Sequence, residues 1–566
     1  MKTIFKIFNI LDHSKKKFFL FLIFLMLIAT LFEMIGIGLI LPIMDFMIGG
    51  ELGKNFTNKI FNFLNINNPE YEVFFLLLFL FIIYSIKISF LTFLSFFQSK
   101  FSFSFQENLS KKLFFKYLNL PYLEFIEHNS SELLRNLNSE VIIFSNSLRS
   151  LLLILSEFLV INGLLLILVF LQPYATILSI SIIVLFALII YRIISKTTNY
   201  WGIKRHEHEK KRIQSIQEGF GAFKEIRVAN LQKSFLNYFD THNKKTSEVS
   251  YKHHAFQGLP SIWLEYVGIV LIISLLIFLS LNNYDAKKIV PLLALVAATS
   301  FRLIPSFSRI ITSYNQIKFS KAAIDNIYNE LFFYRSNNTI SKKINIKFNK
   351  EIKFENIFFK YSKSKNYVFK NFNLHISKGQ IIGIMGKTGS GKSTFIDLLT
   401  GLIPPEKGQV LVDSININHN NLSWQSNINY VPQNIFLTDD TIKNNILLGA
   451  SKKSISISKI KKIIKICCLD EWIDSLPKGI NTNVGERGVS LSGGQKQRIG
   501  IARALIKSDR PLLIFDETTS AIDISTEMKI FKNIKKSFPK VTQIIISHRT
   551  NLDLYTSKII YLKLIK

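Results

Sequence analysis

Six long apolar stretches in the first part of the chain constrain its fold more than any other feature of the sequence. Each has about 20 residues or more, which as a helix rising about 1.5 Å per residue is enough to cross the hydrocarbon core of a bilayer. One such stretch also fits a buried helix of a soluble protein, but six in one half of a chain predict an all-α membrane domain. The stretches are Phe18–Phe46, Val73–Phe97, Leu148–Phe170, Tyr174–Ser195, Ile262–Leu281 and Ile289–Ile311.

The composition supports a membrane protein, excludes several other classes of chain and indicates the redox compartment. Hydrophobic residues make up 48% of the 566 residues, which excludes a disordered, collagen-like or disulfide-stapled chain. The net charge of +31 has two interpretations: a Lys-rich background composition, or attraction to phosphate groups. Cys467 and Cys468 are adjacent and provide neither a disulfide framework nor zinc-ligand spacing, which fits a reducing compartment.

The distribution of basic residues predicts the orientation in the membrane. Lysines crowd the N-terminus, so we expect that end and the polar segments Gln98–Ser147 and Lys196–Pro260 on the cytosolic side of the inner (plasma) membrane. These two segments are too long for simple loops and predict helical extensions that turn near Leu120–Asn129 and Gly219–Arg227. Six spans return the rest of the chain to the cytosol.

Two further segments divide the chain into domains. Between Glu51 and Ile66, apolar residues recur at helical spacing, which predicts an amphipathic helix on the outer membrane surface or an ordinary packed loop helix. The polar tract 335–350 is interpreted as a linker. Strands alternate with helices after it, so the sequence predicts a six-helix transmembrane domain at 1–334 followed by an α/β P-loop ATPase domain at 351–566.

A glycine-rich turn between a strand and a helix predicts a phosphate-binding loop. The glycines let backbone N–H groups approach phosphate oxygens, and the helix N-terminus adds partial positive charge. Lys392 is placed to reach the β- and γ-phosphates of ATP, and the Ser393 hydroxyl to bind Mg²⁺. The predicted loop consists of Gly386, Lys387, Thr388, Gly389, Ser390, Gly391, Lys392, Ser393 and Thr394.

Two acids end the apolar strand Leu512–Asp516. Asp516 is placed to hold Mg²⁺, and Glu517 to polarise a water molecule against the γ-phosphate. A second glycine-containing helix start, with Ser492, Gly493, Gly494 and Gln495 after Leu491, predicts another anion-binding terminus about a hundred residues from the first loop.

These motifs resemble those of the ATP-binding cassette (ABC) transporter family over nearly the whole chain. The resemblance implies that Ser492–Gln495 of one copy cap the ATP held by the phosphate loop of another, so that a homodimer encloses two ATP molecules. It also implies that Tyr361 stacks on adenine, that Gln433 senses Mg²⁺ and the attacking water, and that His548 contacts the γ-phosphate. Ser520–Asp523 match the family's loop across the dimer interface, with Ile522 where Leu is common.

The order of domains, one six-span membrane half before one ATPase half, resembles an exporter-type half-transporter. The expected cofactors are therefore ATP and Mg²⁺, and the expected enzymatic activity is ATP hydrolysis coupled to transport.

Charged residues inside the apolar stretches bear on the substrate. Lys87, Arg302 and Arg309 are costly to expose to lipid, so we expect them to face a cavity or a partner. Two interpretations are open. In the first, these basic residues form ion pairs between helices with Glu33, Glu157 or Glu265. In the second, they form a basic strip that binds an anionic head group such as a pyrophosphate.

A second resemblance favours the basic strip. Residues 18–38, 260–265 and 301–314 look like the bacterial lipid-linked oligosaccharide flippases of protein N-glycosylation, which also have a short external helix where residues 51–66 lie here. The resemblance implies that a polyprenyl-pyrophosphate-linked glycan moves from the cytosolic to the outer leaflet, with membrane lipid and the lipid-linked anion as partners and no nucleic acid. In that family the residue at the position of Ser261 can be basic, so part of the family's basic strip is absent here. The identity of the glycan is therefore undecided, and O-antigen or capsule polysaccharides also fit.

Two other functions compete with this one. The first is an exporter of lipids, drugs or peptides, which would have an apolar, aromatic cavity. The second is a non-transporting regulatory ATPase that uses the basic surface, which the six spans argue against.

Overall fold

The structure is a computed structural model of the chain and describes residues 2–47, 53–55, 72–171, 173–281, 286–332, 345–362, 364–419, 421–450, 455–507 and 509–562. The chain divides into two compact units. A helical unit comprises Met1–Leu120 and Glu124–Ser336, and an α/β unit comprises Asn337–Lys566 with Pro121–Leu123. The predicted linker and the predicted amphipathic helix at 51–66 lie largely outside the described residues.

The described part of the helical unit is built of α-helices, several of them very long. Five segments are long and apolar enough to cross a membrane: His13–Met47, Val73–Leu118, Ser130–Phe170, Ser181–Gly221 and Gln232–Ser274. The helices are α1 (Lys2–Ile10), α2 (His13–Gly38), α3 (Ile40–Met47), α4 (Glu72–Leu118), α5 (Tyr122–Glu127), α6 (Ser130–Arg135), α7 (Val141–Leu171), α8 (Pro173–Gly221), α9 (Phe223–Val228), α10 (Gln232–Leu281), α11 (Ala286–Phe319) and α12 (Lys321–Phe332). The sixth predicted span, Ile289–Ile311, lies within α11.

Three helices are much longer than a bilayer requires. Helices α4, α8 and α10 have 47, 49 and 50 residues, against the roughly 20 that span the hydrocarbon. The polar segments therefore continue the apolar ones as helix, and the chain reverses after Leu118 and after Gly221, as the sequence predicts.

Buried charge holds these extensions together. A π-helical segment, Asn136–Glu140, joins α6 to α7. Glu140 is fully buried, and the Nη2 of Arg205 on α8 donates to both of its carboxylate oxygens at 3.0 Å. Because a buried charge is costly without a partner, this pair fixes the π-helical segment at the start of α7 against α8.

The α/β unit contains two sheets. The strands are β1 (Glu351–Phe359), β2 (Phe369–Ser377), β3 (Ile381–Gly386), β4 (Lys407–Val412), β5 (Ile415–Asn416), β6 (Ile428–Val431), β7 (Leu512–Asp516), β8 (Thr542–Ile546) and β9 (Lys558–Leu562). An antiparallel sheet has the order β2-β1-β4-β5, and a parallel sheet has the order β6-β7-β8-β3-β9. The helices are α13 (Lys392–Leu399), α14 (Asn421–Gln425), α15 (Ile442–Ile446), α16 (Ile457–Ile466), α17 (Asp470–Asp474), α18 (Gly493–Leu505) and α19 (Ile524–Ser537).

The parallel sheet places the functional motifs side by side. Its inner strands are almost continuously apolar, as expected where both faces of a sheet are covered, and Leu512–Phe515 are buried. The carboxyl ends of β3, β7 and β8 meet at one edge, so the segments that follow them share one site. The sequence pattern predicts five strands that correspond to β1, β3, β4, β7 and β8, and it misses β2, β5, β6 and β9. The predicted strands are Ile352–Phe359, Gln380–Met385, Gln409–Asp413, Leu512–Asp516 and Val541–Ser547.

One glycine allows two membrane-domain helices to approach closely. A Cβ at Gly202 of α8 would lie 2.2 Å from the carbonyl oxygen of Phe319 at the end of α11. We predict that Gly202→Ala lowers the midpoint of thermal unfolding by about 5 °C or more, since backbone must move to admit the methyl group. The control is Gly219→Ala on the same helix, where no heavy atom lies within 4 Å, so stability holds or rises. Equal melting temperatures for the two variants would contradict the prediction.

Candidate functional site

The phosphate loop is built at the end of strand β3. Gly389 and Gly391 have φ of +81° and +91°, values that favour glycine, and they turn the chain from the strand into α13. A Cβ at Gly386 would lie 2.3 Å from Ser390 Oγ, so the loop closes too tightly for a side chain there. Lys387, Thr388 and Gly389 form the bend, where Ser390 N–H donates to the carbonyl of Lys387 at 3.0 Å.

Lys392 is the cationic centre of this site. Its Nζ donates to the carbonyl oxygen of Gly386 at 2.9 Å and lies 3.6 Å from Glu517 Oε1. The Nε2 of His548 lies 2.9 Å from Lys392 Nζ and 2.8 Å from Glu517 Oε1. The structure therefore brings together three residues that the sequence assigned to one site from segments far apart in the chain.

The two acids at the end of β7 have different surroundings. Glu517 has a φ of 49°, unusual for a residue with a side chain, and its Oε2 accepts from Gln433 Nε2 at 2.9 Å. Asp516 accepts from the hydroxyl of Tyr430 at 2.9 Å. The sequence motifs do not indicate Tyr430, which lies on β6 three residues before Gln433.

Two other predicted ATP-binding residues lie beside the loop. The hydroxyl of Tyr361 is 3.0 Å from Thr394 Oγ1, so its aromatic ring lies next to the first turn of α13. Ser393 is exposed on that same turn, whereas Lys392 and Thr394 are buried. The Ser393 hydroxyl therefore faces solvent, where a ligand can reach it.

The second helix start has a complete capping box. Ser492 precedes α18, its Oγ accepts from Gln495 N–H at 3.2 Å, and Gln495 Oε1 accepts from Ser492 N–H at 2.8 Å. A Cβ at Gly494 would lie 2.9 Å from the carbonyl of Ala521, and one at Gly493 would lie 3.1 Å from its Cβ. In the described residues no hydrogen bond or ion pair joins Ser492–Gln495 to the phosphate loop.

The residues of this site fit a nucleoside triphosphate with Mg²⁺. Ser390 Oγ, in the phosphate loop, is buried and has no hydrogen-bond partner among the described residues. Over those residues, no group of three or more His, Cys, Asp or Glu could hold a metal ion. Mg²⁺ is typically held by one or two protein oxygens together with substrate phosphates, and Ser393 and Asp516 provide oxygens of this kind.

Burial and charge raise the pKa values of two carboxyls near the loop. Burial raises the pKa of Asp516, and the charge of Glu517 adds to this, while the hydrogen bond from Tyr430 opposes it. Burial also raises the pKa of Asp397 on α13 to about 6, with the charge of Asp516 as the second cause.

The three basic residues of the spans form a network with two acids. Glu33 pairs with Lys87 Nζ at 2.8 Å and with Arg302 Nη2 at 3.0 Å. Glu157 pairs with Arg309 Nε at 3.2 Å and lies 3.8 Å from Arg302 Nη1. The structure thus realises the interhelical pairing that the sequence left as one of two interpretations, and Glu265 is not part of it.

Exposure separates the three cations. The side chains of Lys87 and Arg302 are 11% and 21% exposed, whereas that of Arg309 is 45% exposed. Arg309 lines a cavity of about 510 Å³ between α10 and α11, together with Glu265 and mostly apolar or small residues such as Ile269, Phe301 and Ile304.

Two protein families match the chain, one over the helical unit and one over the α/β unit. Residues 19–303 match the family described as ABC transporter transmembrane region, and residues 369–520 match the family described as ABC transporter. An ATP-dependent lipid A-core flippase of Wigglesworthia glossinidia brevipalpis is 30% identical over 452 residues, 78% of this chain and 76% of that protein.

Two further comparisons concern toxin export and fold. The alpha-hemolysin translocation ATP-binding protein HlyB of Escherichia coli O157:H7 is 41% identical over 211 residues, 37% of this chain and 30% of that protein. The solved structure of a bacterial Atm1-family ABC exporter with ATP bound has a TM-score of 0.81 over 98% of this chain and 95% of that chain. At 19% identity, that likeness shows the fold alone.

The position of Glu517 generates a prediction about hydrolysis. We expect Glu517→Gln to bind ATP but to hydrolyse it about 10²- to 10⁴-fold more slowly, because the amide cannot take a proton from water. Phosphate release and nucleotide binding are measured on the purified full-length chain. The control is Glu471→Gln, which changes an exposed acid of α17. Wild-type turnover in Glu517→Gln would remove the assignment of Glu517 as general base.

The raised pKa of Asp397 generates a prediction about stability. The carboxyl titrates near 3.8 when unperturbed and near 6 in the folded chain, so the folded chain binds the extra proton between these values. Wild-type stability therefore falls as the pH rises through this window. We expect Asp397→Asn, measured without nucleotide, to unfold at a higher temperature than wild type above about pH 7, with the difference shrinking toward pH 4. The control is the exposed Asp553→Asn, and a difference that is constant with pH would contradict the prediction.

Proposed function

The chain belongs to the ABC transporter family, and we propose that it flips a polyprenyl-pyrophosphate-linked oligosaccharide from the cytosolic to the outer leaflet of the inner membrane. It is a membrane-spanning exporter with a transmembrane domain and an ABC ATPase domain, and it hydrolyses ATP to drive transport. The proposal concerns its substrate, the arrangement of its ATP sites and its orientation.

The cavity beside Arg309 is the observation that carries the substrate proposal. A polyprenyl pyrophosphate has an apolar chain and a doubly phosphorylated head, and this cavity combines an apolar wall with one half-exposed guanidinium. Arginine suits such a head because its planar fork pairs with phosphate oxygens through two N–H groups at once. The ion-pair network contains three cations and two acids, Glu33 and Glu157, and a third acid, Glu265, lines the cavity outside the network.

The ATP sites are proposed to lie between two copies of the chain. Each chain has two anion-binding helix starts, at Lys392 and at Gly493, that do not contact each other within the described residues. Pairing two copies head to tail would place Ser492 of one copy against the phosphates bound by Lys392 of the other. The γ-phosphate would then be enclosed from both sides, so that closure depends on ATP.

The proposed roles within each ATP site follow from the contacts described above. Ser393, Asp516 and Gln433 would hold Mg²⁺, which neutralises phosphate charge when bound. Glu517 takes a proton from the attacking water, and Gln433 holds the Glu517 carboxylate by a hydrogen bond. His548, which pairs with Glu517 in the structure, would contact the γ-phosphate when ATP is bound. Tyr361 provides an aromatic face for adenine.

The orientation of the chain in the membrane is proposed from the distribution of its basic residues. The transmembrane domain, 1–334, would place the basic N-terminus and the helical extensions in the cytosol, and the linker 335–350 would lead to a cytosolic ATPase domain, 351–566.

A second candidate function, export of lipids, drugs or peptides, is favoured by a specific feature of the cavity. Its lining is mainly apolar, with Phe301 strongly exposed, and such a surface binds acyl chains or drugs without help from arginine. The names of the two relatives, a lipid A-core flippase and a hemolysin translocation protein, are consistent with this candidate too.

Replacing Arg309 separates the two functions. We predict that Arg309→Leu lowers ATP-dependent flipping of a polyprenyl-pyrophosphate-linked oligosaccharide in proteoliposomes at least about tenfold, since a lost charge-assisted contact costs 1.5–3 kcal/mol. ATP binding and thermal unfolding are measured to show that the variant is folded. The control, Arg192→Leu, changes an exposed arginine of α8 that does not line the cavity. Undiminished flipping in Arg309→Leu would favour the apolar-substrate exporter.

A further inference from the structure

We propose that Glu157 is an internal counter-ion that competes with the anionic substrate for Arg309, and so sets the affinity of the cavity for that anion. This inference rests on the proposed function. It assigns a role to a buried acid that is neither part of the ATP site nor among the residues expected to touch the substrate.

The contact between Arg309 and Glu157 leaves most of the guanidinium unused. Arg309 Nε lies 3.2 Å from Glu157 Oε1 and 3.3 Å from the carbonyl oxygen of Pro305, one turn earlier on α11. Within the described part of the chain, no hydrogen bond engages the two terminal nitrogens of Arg309. Those two nitrogens form the edge of the fork that binds phosphate in a bidentate manner.

Glu157 has other partners that remain when Arg309 releases it to bind a phosphate. Its Oε2 accepts from Ser306 Oγ at 2.7 Å and lies 3.8 Å from Arg302 Nη1. The carboxylate is only 6% exposed, so without these contacts the release of Arg309 would leave a buried charge unpaired at high cost. Because Ser306 and Arg302 still contact the Glu157 carboxylate, the free-energy cost stays low when a phosphate replaces Glu157 at Arg309.

The other acid of the network lacks this property. Glu33 is 3% exposed and is held by both Lys87 and Arg302, neither of which lines the cavity. The pairs of Glu33 therefore tie helices α2, α4 and α11 together, whereas the pair of Glu157 with Arg309 lies at the cavity wall. A substrate anion can compete only for the exposed pair.

The test measures how tightly the cavity binds a defined anionic lipid. Geranylgeranyl pyrophosphate in liposomes is titrated against the full-length reconstituted protein, and its half-maximal concentration for binding and for change of ATP hydrolysis is recorded. We expect Glu157→Gln to lower that concentration about three- to tenfold, because the amide competes only weakly for a guanidinium. Glu157→Asp, which keeps the charge on a shorter side chain, is expected to shift it in the same direction by less.

A matched control and a double variant isolate the ion pair. Glu265→Gln removes an acid that lines the same cavity without contacting Arg309, so we expect a shift of less than about twofold. In an Arg309→Leu background, adding Glu157→Gln is expected to change nothing, since the competing partner is gone.

The outcomes distinguish this inference from the proposed function. If wild type responds to the probe but Glu157→Gln does not bind it more tightly, or if Glu265→Gln gives an equal shift, the counter-ion role is overturned and the flippase proposal stands. If wild type does not respond to the probe, the counter-ion role is overturned, and if wild type also fails to flip the lipid-linked oligosaccharide, both proposals are overturned.

Discussion

The contact of the Lys392 ammonium with Glu517 and His548 is the interaction on which the nucleotide site depends. It joins the phosphate loop after β3 to the segments after β7 and β8, so three distant parts of the chain converge on one charge. Because a buried cation requires compensation, the site holds an internal carboxylate where phosphate charge would act. We propose that ATP binding at Lys392 exchanges the Glu517 carboxylate for phosphate, which would leave Glu517 free to act on water.

The helical unit repeats this arrangement with different residues. Arg309 is held by Glu157 as Lys392 is held by Glu517, and in each case a further hydrogen bond, from Ser306 or from Gln433, steadies the acid. In both sites, a phosphate that binds the cation would compete with the acid that now holds it. Because an unpaired buried charge is costly, each cation has an acid beside it, and we propose that each acid opposes the binding of an anionic ligand.

Much of the ATPase site could be predicted from the sequence because its motifs are local. The turn from strand to helix at Lys392 and the acids after Leu512–Phe515 are encoded within a few residues. The hydrogen bond from Tyr430 to Asp516 could not be predicted, since it depends on β6 lying beside β7, which are far apart in the sequence. In the membrane domain, composition predicted the spans and the charged residues. It could not separate half-exposed Arg309 from buried Lys87, because that difference depends on how each helix is rotated.

The central claim, that ATP is enclosed between Lys392 of one copy and Ser492 of another, is tested most directly by mixing two defective chains. One chain carries Lys392→Ala and the other Ser492→Arg, both with Glu517→Gln to prevent hydrolysis, and differently tagged heterodimers are isolated. If the sites are shared between copies, one of the two sites in each heterodimer is free of both defects, and the account predicts one retained ATP per heterodimer. Retention no greater than in either parent homodimer would contradict it.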